Sequence, residues 1–493
     1  MKTYFKISLL LVIMLVGNAC ETTKIASTKQ QEPSVIADIK FQNINVIDAK
    51  DGLQENMTVL VKDNRIIKVA KAADMAPTGA KQTVVGTGKY LIPGLWDAHV
   101  HLVFTEGLES SMFRLFLAHG ITSIRDTGGQ LKLVLPEREK ARKDPQNSPR
   151  VMVAGPLLDG KPTVYDGSTP NNPHLGIGAG TVAEAEKNAA EMIEAKVDLL
   201  KAYEMLTPEA FKAILAKGKA AGLPISGHVP LSMDVIEASD AGMSSMEHMR
   251  NLEFACSSDW EDLLKTRQKM LFDGQEEIGS TLRRNIHKAQ RAHAVANQDA
   301  TRRTEVLKHL ADNGTWQIPT FSIMTAFSER FITRTDWQQS FTYLPSKIRD
   351  TWTKNSIAFA RNTPVDPSSK DYAKWMFDMV GHMQAAGVEI MAGTDCPIFF
   401  LTPGYSLHEE LALLVKAGMT PLQAIEAATT KPAQYFDLDK ELGLIQEGFF
   451  ADLVVLDANP LEDIRNTIKI NAVIRDGKLH NREALDVLLT ATE

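Results

Sequence analysis

The sequence predicts an α/β protein: a (β/α)8 TIM barrel with a small composite β-sandwich domain formed by both termini. Eight short apolar runs rich in β-branched residues alternate with longer helix-like stretches through residues 91–436, which is the order of parallel βα units. Shorter β-type runs occupy residues 35–90 and 437–490. The chain has 493 residues, 44% hydrophobic and 23% charged, so it is long and apolar enough for both domains.

The eight predicted barrel strands are separated by helix-like stretches. They are the runs at 92–102, 120–126, 150–157, 198–203, 224–229, 244–248, 315–323 and 388–395. Helices are predicted at 181–195, which opens with a threonine N-cap and an acidic first turn, and at 207–221, which opens with Thr-Pro. Eight alternations of this kind are typical of a closed barrel, whose strands all end at one face.

Residues 251–314 interrupt the alternation of strands and helices after the sixth strand. The segment is long and charged, and its apolar residues follow helical spacing, so we predict a helical insertion. Two roles stay open for it. The insertion shields or shapes the mouth of the barrel, or it is a solvated elaboration with no role in the site.

The β-type segments at the two ends of the chain are too few at either end to bury a face alone. They lie at 39–46, 57–62, 65–69, 451–457 and 468–478. Turn signals such as Asp51-Gly52 and Asp476-Gly477 separate them. We therefore predict that both ends combine into one discontinuous domain beside the barrel.

The first residues have the pattern of an export signal. Lys2 and Lys6 precede an apolar run at 7–16, and small residues then lead to Cys20. The run is about half of the roughly 20 residues that span a bilayer, so a lasting transmembrane helix is disfavoured. We predict that residues 1–19 are a signal peptide.

The stretch Gly17-Asn18-Ala19-Cys20 resembles a bacterial lipoprotein processing site, although Gly17 stands where leucine is usual, so plain cleavage stays open. Lipidation of Cys20 would anchor an exported protein to the bacterial envelope through a flexible tether at 20–34, whereas plain cleavage would leave it periplasmic. We expect the wild-type chain to incorporate a labelled fatty acid and Cys20→Ala to lose the label. Unchanged labelling of the variant would contradict lipidation at this residue.

The charge of the chain indicates which kind of partner it binds. Its 54 lysines and arginines and 61 aspartates and glutamates give a net charge of 54 − 61 = −7, and no basic block is present. This balance argues against nucleic acid as a partner and favours a small-molecule or dipeptide substrate.

The three cysteines, Cys20, Cys256 and Cys396, are too few and too scattered for a disulfide framework or a cysteine zinc site. A metal site would therefore use histidines and carboxylates. The sequence leaves open whether the chain forms a homo-oligomer.

Ionisable residues gather where the predicted strands end. Asp97, His99 and His101 alternate with apolar residues, so a period of two places them on one face of the first strand. Later strands end in ligand-type side chains at His228, His248 and Asp395. Because barrel sites form at the carboxyl ends of the strands, four imidazoles and a carboxylate at these positions indicate a shared metal site.

Lys201 is the unusual member of this set, because it lies on the same alternating face of its strand as Tyr203. An unpaired ammonium buried beside divalent cations is disfavoured by like charge and by desolvation. Three states are open. Lys201 stays neutral, pairs with Asp198 or Glu204 away from the site, or reacts with carbon dioxide to give an anionic carbamate that can bridge two metals.

The order of these residues resembles the amidohydrolase superfamily. The residues that carry the resemblance are the His99-x-His101 pair, Lys201, His228, His248 and Asp395, on strands one, four, five, six and eight. Further stretches are similar to its imidazolonepropionase-like branch, which includes binuclear Xaa-Pro dipeptidases (prolidases): Leu-Trp-Asp-Ala-His-Val-His ending at His101, Ser-Leu-His-Glu-Glu-Leu from Ser406, Thr-Pro-Leu-Gln-Ala from Thr420 and Gly-Phe-Phe-Ala-Asp-Leu-Val-Val from Gly448. The resemblance covers residues 36–478.

The resemblance implies two divalent metal ions, with zinc suited to the imidazole and oxygen ligands. His99, His101 and Asp395 would bind the more buried ion, and His228 and His248 the outer one. Carboxylated Lys201 and a hydroxide would bridge the two ions. Asp395 would also be the general base and acid of the reaction, taking the proton of the attacking group and passing it to the leaving nitrogen.

The resemblance further implies a metal-dependent hydrolase of amide or peptide bonds, of the Xaa-Pro dipeptidase type. The alternatives are hydrolysis of a cyclic amide, an imidazolone or an ester, and, in another class, a noncatalytic substrate-binding lipoprotein. Three residues are candidates for substrate binding. Tyr203 could bond a substrate carbonyl or pack in the barrel, Arg250 could pair with a carboxylate or lie exposed, and His174 could reach the mouth from the Gly- and Pro-rich loop at 159–180.

Overall fold

The computed structural model describes residues 36–490 except residues 77, 170 and 171. The predicted signal peptide at 1–19, the tether at 20–34 and Cys20 lie outside the described residues, so these remain predictions. Within the described part of the chain, no helix has both the length and the hydropathy needed to cross a membrane.

The described chain alternates strands and helices. The strands are β1 Ala37–Asp48, β2 Gly52–Lys62, β3 Arg65–Lys71, β4 Ala80–Val85, β5 Tyr90–Pro93, β6 Leu95–Val100, β7 Ile121–Asp126, β8 Arg150–Val153, β9 Leu157–Asp159, β10 Asp166–Thr169, β11 Asn172–His174, β12 Gly176–Gly178, β13 Leu200–Ala202, β14 Ile225–Gly227, β15 Ser245–Glu247, β16 Trp316–Ile318, β17 Leu453–Leu456, β18 Ile470–Arg475 and β19 Lys478–Asn481.

The helices fill the intervals between these strands and most of residues 252–435. They are α1 Glu109–Ala118, α2 Leu131–Lys143, α3 Val182–Glu194, α4 Pro208–Ala220, α5 Val235–Asp240, α6 Leu252–Ala255, α7 Trp260–Asp273, α8 Gly279–Ala296, α9 Ala300–Asp312, α10 Phe321–Met324, α11 Ala326–Glu329, α12 Thr335–Ser340, α13 Ser346–Asn362, α14 Pro367–Ala386, α15 Tyr405–Lys416, α16 Pro421–Ala427, α17 Thr430–Tyr435 and α18 Arg482–Leu489. Short 3-10 turns lie at Phe331–Thr333, Phe341–Tyr343, Ile398–Phe400 and Ile464–Ile468.

Strands from both ends of the chain form one eight-stranded sheet, in the order β19-β18-β17-β5-β1-β2-β3 with β4 paired to β1. Strand β5 joins the two ends, because it pairs parallel with β1 and antiparallel with β17. Phe41 and Val59 from the first end share a buried core with Leu453 and Ile474 from the second. Strands from the two ends therefore share one sheet and one core. Their assignment to a separate composite sandwich domain remains a prediction.

The first predicted barrel strand, at 92–102, was too long. Ile92 belongs to β5 of the terminal sheet, where it pairs with Val454, and the inner strand is the shorter β6. Gly94 separates the two strands at a close approach: its amide donates to the carbonyl of Asp452 at 2.7 Å, and a Cβ there would lie 2.2 Å from Thr122 Oγ1. The chain thus passes from one sheet to the other at Gly94, and the pattern of apolar residues in the sequence does not indicate this change.

The inner strands form parallel sheets. Strands β6-β7-β8 make one sheet, and β12-β9-β13-β14-β15-β16 make a second. The expected strand at 388–395 is replaced by two isolated parallel bridges, Gln317 with Ile390 and Val100 with Cys396, which connect this segment to β16 and to β6. Closure into an eight-stranded barrel remains a prediction.

Two other predicted strands were also too long. The run at 150–157 is divided, since β8 ends at Val153 and β9 begins at Leu157 after a left-handed turn at Gly155, whose φ is 73°. The run at 315–323 ends early, because Thr320 has φ 48° and α10 begins at the next residue. Apolar runs continue across both turns, so composition alone gave no sign of them.

Both predicted helix starts are confirmed. The Thr181 side chain accepts a hydrogen bond from the Glu184 amide at 3.2 Å, and the Thr207 side chain accepts one from the Ala210 amide at the same distance. Each bond satisfies a backbone donor that the first helical turn leaves unpaired. Residues 251–314 contain helices α6 to α9. That this segment is an insertion into the barrel remains a prediction.

A buried ion cluster attaches the terminal sheet to the inner strands. Asp452, next to β17, accepts hydrogen bonds at 3.0 Å from Arg475 of β18 and from Arg150 of β8. Burial would raise the pKa of Asp452, but the positive charges of Arg475 and Arg150 hold it below its usual value. Because the Asp452 carboxylate binds Arg475 of the terminal sheet and Arg150 of β8 at the same time, it orients β8 against the terminal sheet.

Candidate metal centre

The predicted ligands lie at or just beyond the carboxyl ends of the inner strands. His99 is inside β6, while His228 and His248 directly follow β14 and β15. His248 has φ 62° and Asp395 has φ 69°, a left-handed conformation that is uncommon for residues other than glycine. These turns direct both side chains towards one cavity. Non-glycine residues in this region cluster at functional sites.

Three of the predicted ligands form a compact group. One ligand atom from each of His99, His101 and Asp395 lies within 4.8 Å of the others, and all three side chains are buried. Asp395 Oδ1 is 3.3 Å from Nε2 of His99 and 3.1 Å from Nε2 of His101. Two ring nitrogens and a carboxylate oxygen at these distances are a donor set suited to a divalent cation such as zinc.

The other two imidazoles stand beside this group. The ring of His248 lies 4.7 Å from that of His99 and 4.8 Å from that of His228, measured between ring centres. His248 Nε2 is 4.0 Å from Asp395 Oδ2. All six predicted metal residues line one small cavity, namely His99, His101, Lys201, His228, His248 and Asp395.

Every imidazole in this cavity has a hydrogen-bond partner at Nδ1. The partners are Glu247 Oε2 for His99 at 2.6 Å, the Gly128 carbonyl for His101 at 3.0 Å, Glu204 Oε1 for His228 at 2.5 Å and Thr320 Oγ1 for His248 at 2.6 Å. These acceptors favour a proton on Nδ1, which leaves the Nε2 lone pair available. Histidines that bind a metal through one ring nitrogen characteristically donate a hydrogen bond from the N–H of the other, most often to a carboxylate or a carbonyl oxygen.

Asp395 has the electrostatic character of a ligand. Burial would raise its pKa, but the imidazoles of His99 and His101 hold the pKa of Asp395 well below its usual value. Its Oδ1 atom is buried and accepts no hydrogen bond from any described residue. A buried carboxylate oxygen without a donor is costly, and a cation bound between it and the two Nε2 atoms would compensate it.

Asp97 turns away from this group, although it alternates with the two histidines along β6. Its carboxylate accepts hydrogen bonds from the amide of Thr394 at 3.0 Å and from the hydroxyl of Thr394 at 2.7 Å. Burial raises the pKa of Asp97 to about 7. The side chain thus supports the turn that precedes Asp395 and does not line the cavity.

Lys201 is fully buried, and its partner differs from those expected. Its Nζ atom lies 4.0 Å from Glu247, whereas Asp198 pairs with Arg138 at 2.9 Å and Glu204 pairs with histidines. Burial lowers the pKa of Lys201 to about 8, even though Glu247 opposes this shift. A larger fraction of neutral amine is therefore present near neutral pH than for an ordinary lysine.

Glu247 is a residue of the site that sequence reasoning missed. Its carboxylate is fully buried and accepts hydrogen bonds from His99, from Arg125 at 2.7 Å and from the Ser226 hydroxyl. A period of two would place Glu247 on the opposite face from His248. The left-handed turn at His248 ends that alternation, so both side chains lie in the interior.

Glu204 is the second missed residue, and it connects the cavity to the insertion. Its Oε1 atom accepts from His228, and its Oε2 atom accepts from His287 of α8 at 2.6 Å. Arg283 of α8 is 3.3 Å away and Arg250 is 3.6 Å away. Burial would raise the pKa of Glu204, but His287 and the two arginines hold it well below its usual value.

The insertion therefore contacts the candidate site directly. Leu282 and Ile286 of α8 pack with Leu157 and Tyr203 at the ends of the inner strands. Side chains of the same helix contact Glu204. Of the two roles left open by the sequence, these contacts favour shaping the mouth.

Glu410 supports the turn that carries Thr320. The Glu410 carboxylate accepts hydrogen bonds from the amides of Phe321 and Ser322 at 2.9 and 2.7 Å and from the Ser322 hydroxyl at 2.7 Å. These donors begin α10, directly after the threonine whose hydroxyl binds His248. The Ser-Leu-His-Glu-Glu-Leu stretch thus has a physical role in orienting a predicted ligand.

The three candidate substrate residues have different surroundings. Tyr203 is buried against the ring of His228, 4.3 Å between ring centres, and its hydroxyl accepts a hydrogen bond from Arg283 at 2.9 Å. Arg250 lines the cavity beside Glu204. His174 is exposed at the end of β11 and does not line the cavity, so the structure does not bring it to the site.

A sequence profile of the Amidohydrolase family matches residues 90–480. The chain belongs to the amidohydrolase family. The match includes all six residues predicted to bind metal, as well as Glu204 and Glu247. The family assignment supports a hydrolase that acts on C–N bonds and a metal site built around the His-His-Asp group.

Relatives of this amidohydrolase differ in what they act on. An ochratoxinase of Aspergillus niger is 43% identical over 82 residues, which are 16% of each chain, so the match spans about a sixth of that enzyme. An imidazolonepropionase of Methylobacterium nodulans is 29% identical over 151 residues, 30% of this chain and 36% of that one. A crystal structure of a Xaa-Pro dipeptidase with bound methionine has a TM-score of 0.64 at 19% identity and covers 90% of this chain and 99% of its own. The last similarity shows a common fold.

Proposed function

We propose that this amidohydrolase is a binuclear zinc-dependent dipeptidase that hydrolyses Xaa-Pro peptide bonds. The observation that carries the proposal is the hydrogen-bonding pattern that the four imidazoles share. Each has Nδ1 paired to an acceptor, which leaves Nε2 available in a cavity that also contains Asp395 and Lys201. His99, His101 and Asp395 would hold one ion, and His228 and His248 the other. We also propose that the inner strands close into the TIM barrel that is expected for this family.

The buried Lys201 would complete the ligand set as a carbamate. Carboxylation requires a neutral amine, and the lowered pKa of Lys201 increases that fraction. The reaction joins the nitrogen of the neutral amine to the carbon of CO2 and releases one proton, which gives an anionic carbamate. Counted from the cationic ammonium, two protons are released in all. The product would remove the like-charge conflict between an ammonium and two divalent ions.

The residues of the cavity would divide the work of hydrolysis. The bound ions would supply Lewis-acid polarisation of the scissile carbonyl and a lowered pKa for an attacking water. Asp395 would accept the proton of that water and donate it to the leaving nitrogen. Tyr203 and Arg250 would bind the carboxylate of the leaving amino acid. Glu204 and Glu247 would keep His228 and His99 in the tautomer that presents Nε2.

The same geometry accommodates two other kinds of substrate. Hydrolysis of a cyclic amide or an imidazolone ring needs the same proton transfer, and the similarity to an imidazolonepropionase supports that alternative. An ester would need less help from a general acid, because an alkoxide leaves more readily than an amide anion. A noncatalytic lipoprotein that binds a small molecule is the alternative from another class.

Metal content and a substrate panel test this proposal together. We expect about two zinc ions per wild-type chain after reconstitution with zinc and bicarbonate, and cleavage of Xaa-Pro dipeptides in preference to other dipeptides, lactams, imidazolones and esters. His101→Asn should lose metal and activity. His174→Asn, an exposed histidine outside the cavity, is the matched control and should retain both.

Other outcomes would contradict parts of this assignment. Preferred cleavage of a lactam or an imidazolone would replace the dipeptide by a cyclic amide. A chain that stays metal-free under these conditions and cleaves nothing would favour the binding-protein alternative. Metal binding that is equal in wild type and His101→Asn would remove His101 from the ligand set.

A further inference from the structure

Helix α8 presents a stripe of polar side chains to the candidate site. Arg283, His287 and Arg291 follow one another at intervals of four residues, so they lie on one face of the helix. Leu282 and Ile286 of the same helix are buried and pack against the ends of the inner strands. This packing holds the polar stripe of the insertion next to the predicted metal centre.

His287 is the middle residue of this stripe, and its side chain is buried. Its Nε2 atom lies 2.6 Å from Oε2 of Glu204. No other described residue donates a hydrogen bond to that oxygen, because His228 and Arg283 both donate to Oε1. Glu204 is completely buried, so loss of His287 would leave a buried carboxylate oxygen without a donor, which is costly.

Arg291 decides which nitrogen of His287 carries the proton. A guanidinium can only donate, and Nη2 of Arg291 lies 3.3 Å from Nδ1 of His287, so this nitrogen accepts. Glu253 holds the arginine from another side, since it accepts a hydrogen bond from the arginine Nε at 3.0 Å. Burial lowers the pKa of His287 to about 3, so the ring is neutral. Its one N–H is therefore at Nε2 and donates to Glu204.

These contacts form one chain of hydrogen bonds from the insertion to the metal centre. Arg291 donates to His287, and His287 donates to Oε2 of Glu204. The other oxygen of Glu204 accepts from Nδ1 of His228 at 2.5 Å. A proton on Nδ1 leaves the Nε2 lone pair of His228 available to an ion. Each member of the chain thus limits the orientation of the next.

The carboxylate of Glu204 also has competing partners. Nη1 of Arg283 and Nε of Arg250 lie 3.3 and 3.6 Å from Oε1, the same oxygen that binds His228. If Oε2 had no donor, the carboxylate would turn so that both oxygens met these guanidinium groups, because hydrogen bonds between two charged groups are stronger than a bond to a neutral imidazole. The contact with His287 opposes this rotation and keeps Oε1 on His228.

From this chain of contacts we infer that His287 is a positioning residue of the outer metal site: through Glu204 it keeps His228 in the orientation and tautomer that present Nε2 to the ion. This inference rests on the proposed binuclear site. It assigns the insertion a role in binding the second ion, in addition to shaping the mouth of the cavity. His287 itself lies one carboxylate away from the ion and is not a ligand.

Two substitutions of His287 test the inference. Glutamine places an amide N–H near the position of Nε2 and can still donate to Glu204, whereas the shorter asparagine matches Nδ1 and cannot reach the carboxylate. In competition with a chelator, we expect His287→Asn to bind one of its two zinc ions about tenfold more weakly than wild type and the other equally well. His287→Gln should bind both ions within about threefold of the wild-type affinities.

Gln290→Leu is the control for a general effect on α8. Gln290 is a buried polar residue of the same helix, and its side chain makes hydrogen bonds at 2.9 Å to Arg267 and to the Leu263 carbonyl, away from Glu204. Its replacement should lower the stability of the protein and leave both zinc affinities unchanged. If His287→Asn does not fold, His287→Leu, which fills the same space with an apolar side chain, takes its place.

The tautomer of His228 provides a readout that needs neither metal nor activity. In metal-free protein with isotope-labelled histidine, the NMR signals of the His228 ring are assigned as those lost in His228→Asn. We expect the proton on Nδ1 in wild type, His287→Gln and Gln290→Leu, and a mixture of both tautomers in His287→Asn.

Failure of the inference and failure of the proposed function give different results. Wild-type zinc affinities and an unchanged His228 tautomer in His287→Asn would overturn the inference and leave the dipeptidase proposal standing. An equal loss of zinc affinity in His287→Asn and Gln290→Leu would also overturn it, because the packing of α8 would then be responsible. A wild-type chain that binds no zinc and cleaves no dipeptide would count against the proposed function, and the tautomer of His228 would still support or overturn the positioning role.

Discussion

Asp395→Asn is expected to lower kcat by about 10³-fold or more while leaving KM nearly unchanged. Asparagine preserves the size of the side chain, but it can neither accept the proton of the attacking water nor return a proton to the leaving nitrogen. Its amide oxygen can still approach the Nε2 atoms of His99 and His101, which lie 3.3 and 3.1 Å from Asp395 Oδ1. The loss should therefore fall on turnover more than on substrate binding.

The measurement must separate chemistry from metal loading, because Asp395 is also a predicted ligand. Turnover should be expressed per bound metal ion, with metal content determined on the same sample of Asp395→Asn. Asp439→Asn, an exposed aspartate, is the control and should match the wild type. Near-normal turnover by fully loaded Asp395→Asn would remove this residue from the proton-transfer role.

Glu204→Gln is expected to weaken binding of the outer metal by about 10- to 100-fold and to lower the free energy of unfolding by about 3 kcal/mol. The carboxylate accepts hydrogen bonds from His228 and His287 and lies 3.3 Å from Arg283. An amide has one acceptor oxygen, so its NH2 group would face one of these imidazoles. If it faced His228, that ring would carry its proton on Nε2 and could not bind metal there.

Two readouts distinguish these effects. Denaturant unfolding of the metal-free protein reports the stability change, and competition with a chelator reports affinity for the second ion of each chain. Glu186→Gln, an exposed residue of α3, is the matched control for both. A variant that loses stability but keeps wild-type affinity for both ions would restrict Glu204 to a structural role.

The residues predicted to bind metal were identifiable because their chemistry is local. Alternation along one strand placed His99 and His101 on a common face, and the structure brings both beside Asp395. The helix starts at Thr181 and Thr207 were also visible, since an N-cap acts within three residues. Features that depend on a few neighbouring residues can therefore be predicted from the sequence.

The partners of these residues were not identifiable in the same way. Glu247 binds His99 across 148 positions, and Glu204 binds His287 across 83. Neither contact has a periodic signature, and the left-handed turn at His248 breaks the alternation on which a strand-face argument depends. The same holds for β5, which belongs to the terminal sheet only because β17 lies beside it.

The sequence by itself determined the alternating α/β order and the candidate ligand residues with their places along the chain, because hydrophobic periodicity and side-chain chemistry are properties of short segments. Only the tertiary structure decided which carboxylates contact the imidazoles, that Lys201 lies beside Glu247, and that α8 contacts Glu204. These relations depend on which strands and helices become neighbours, and that follows from the packing of the whole core rather than from any one segment.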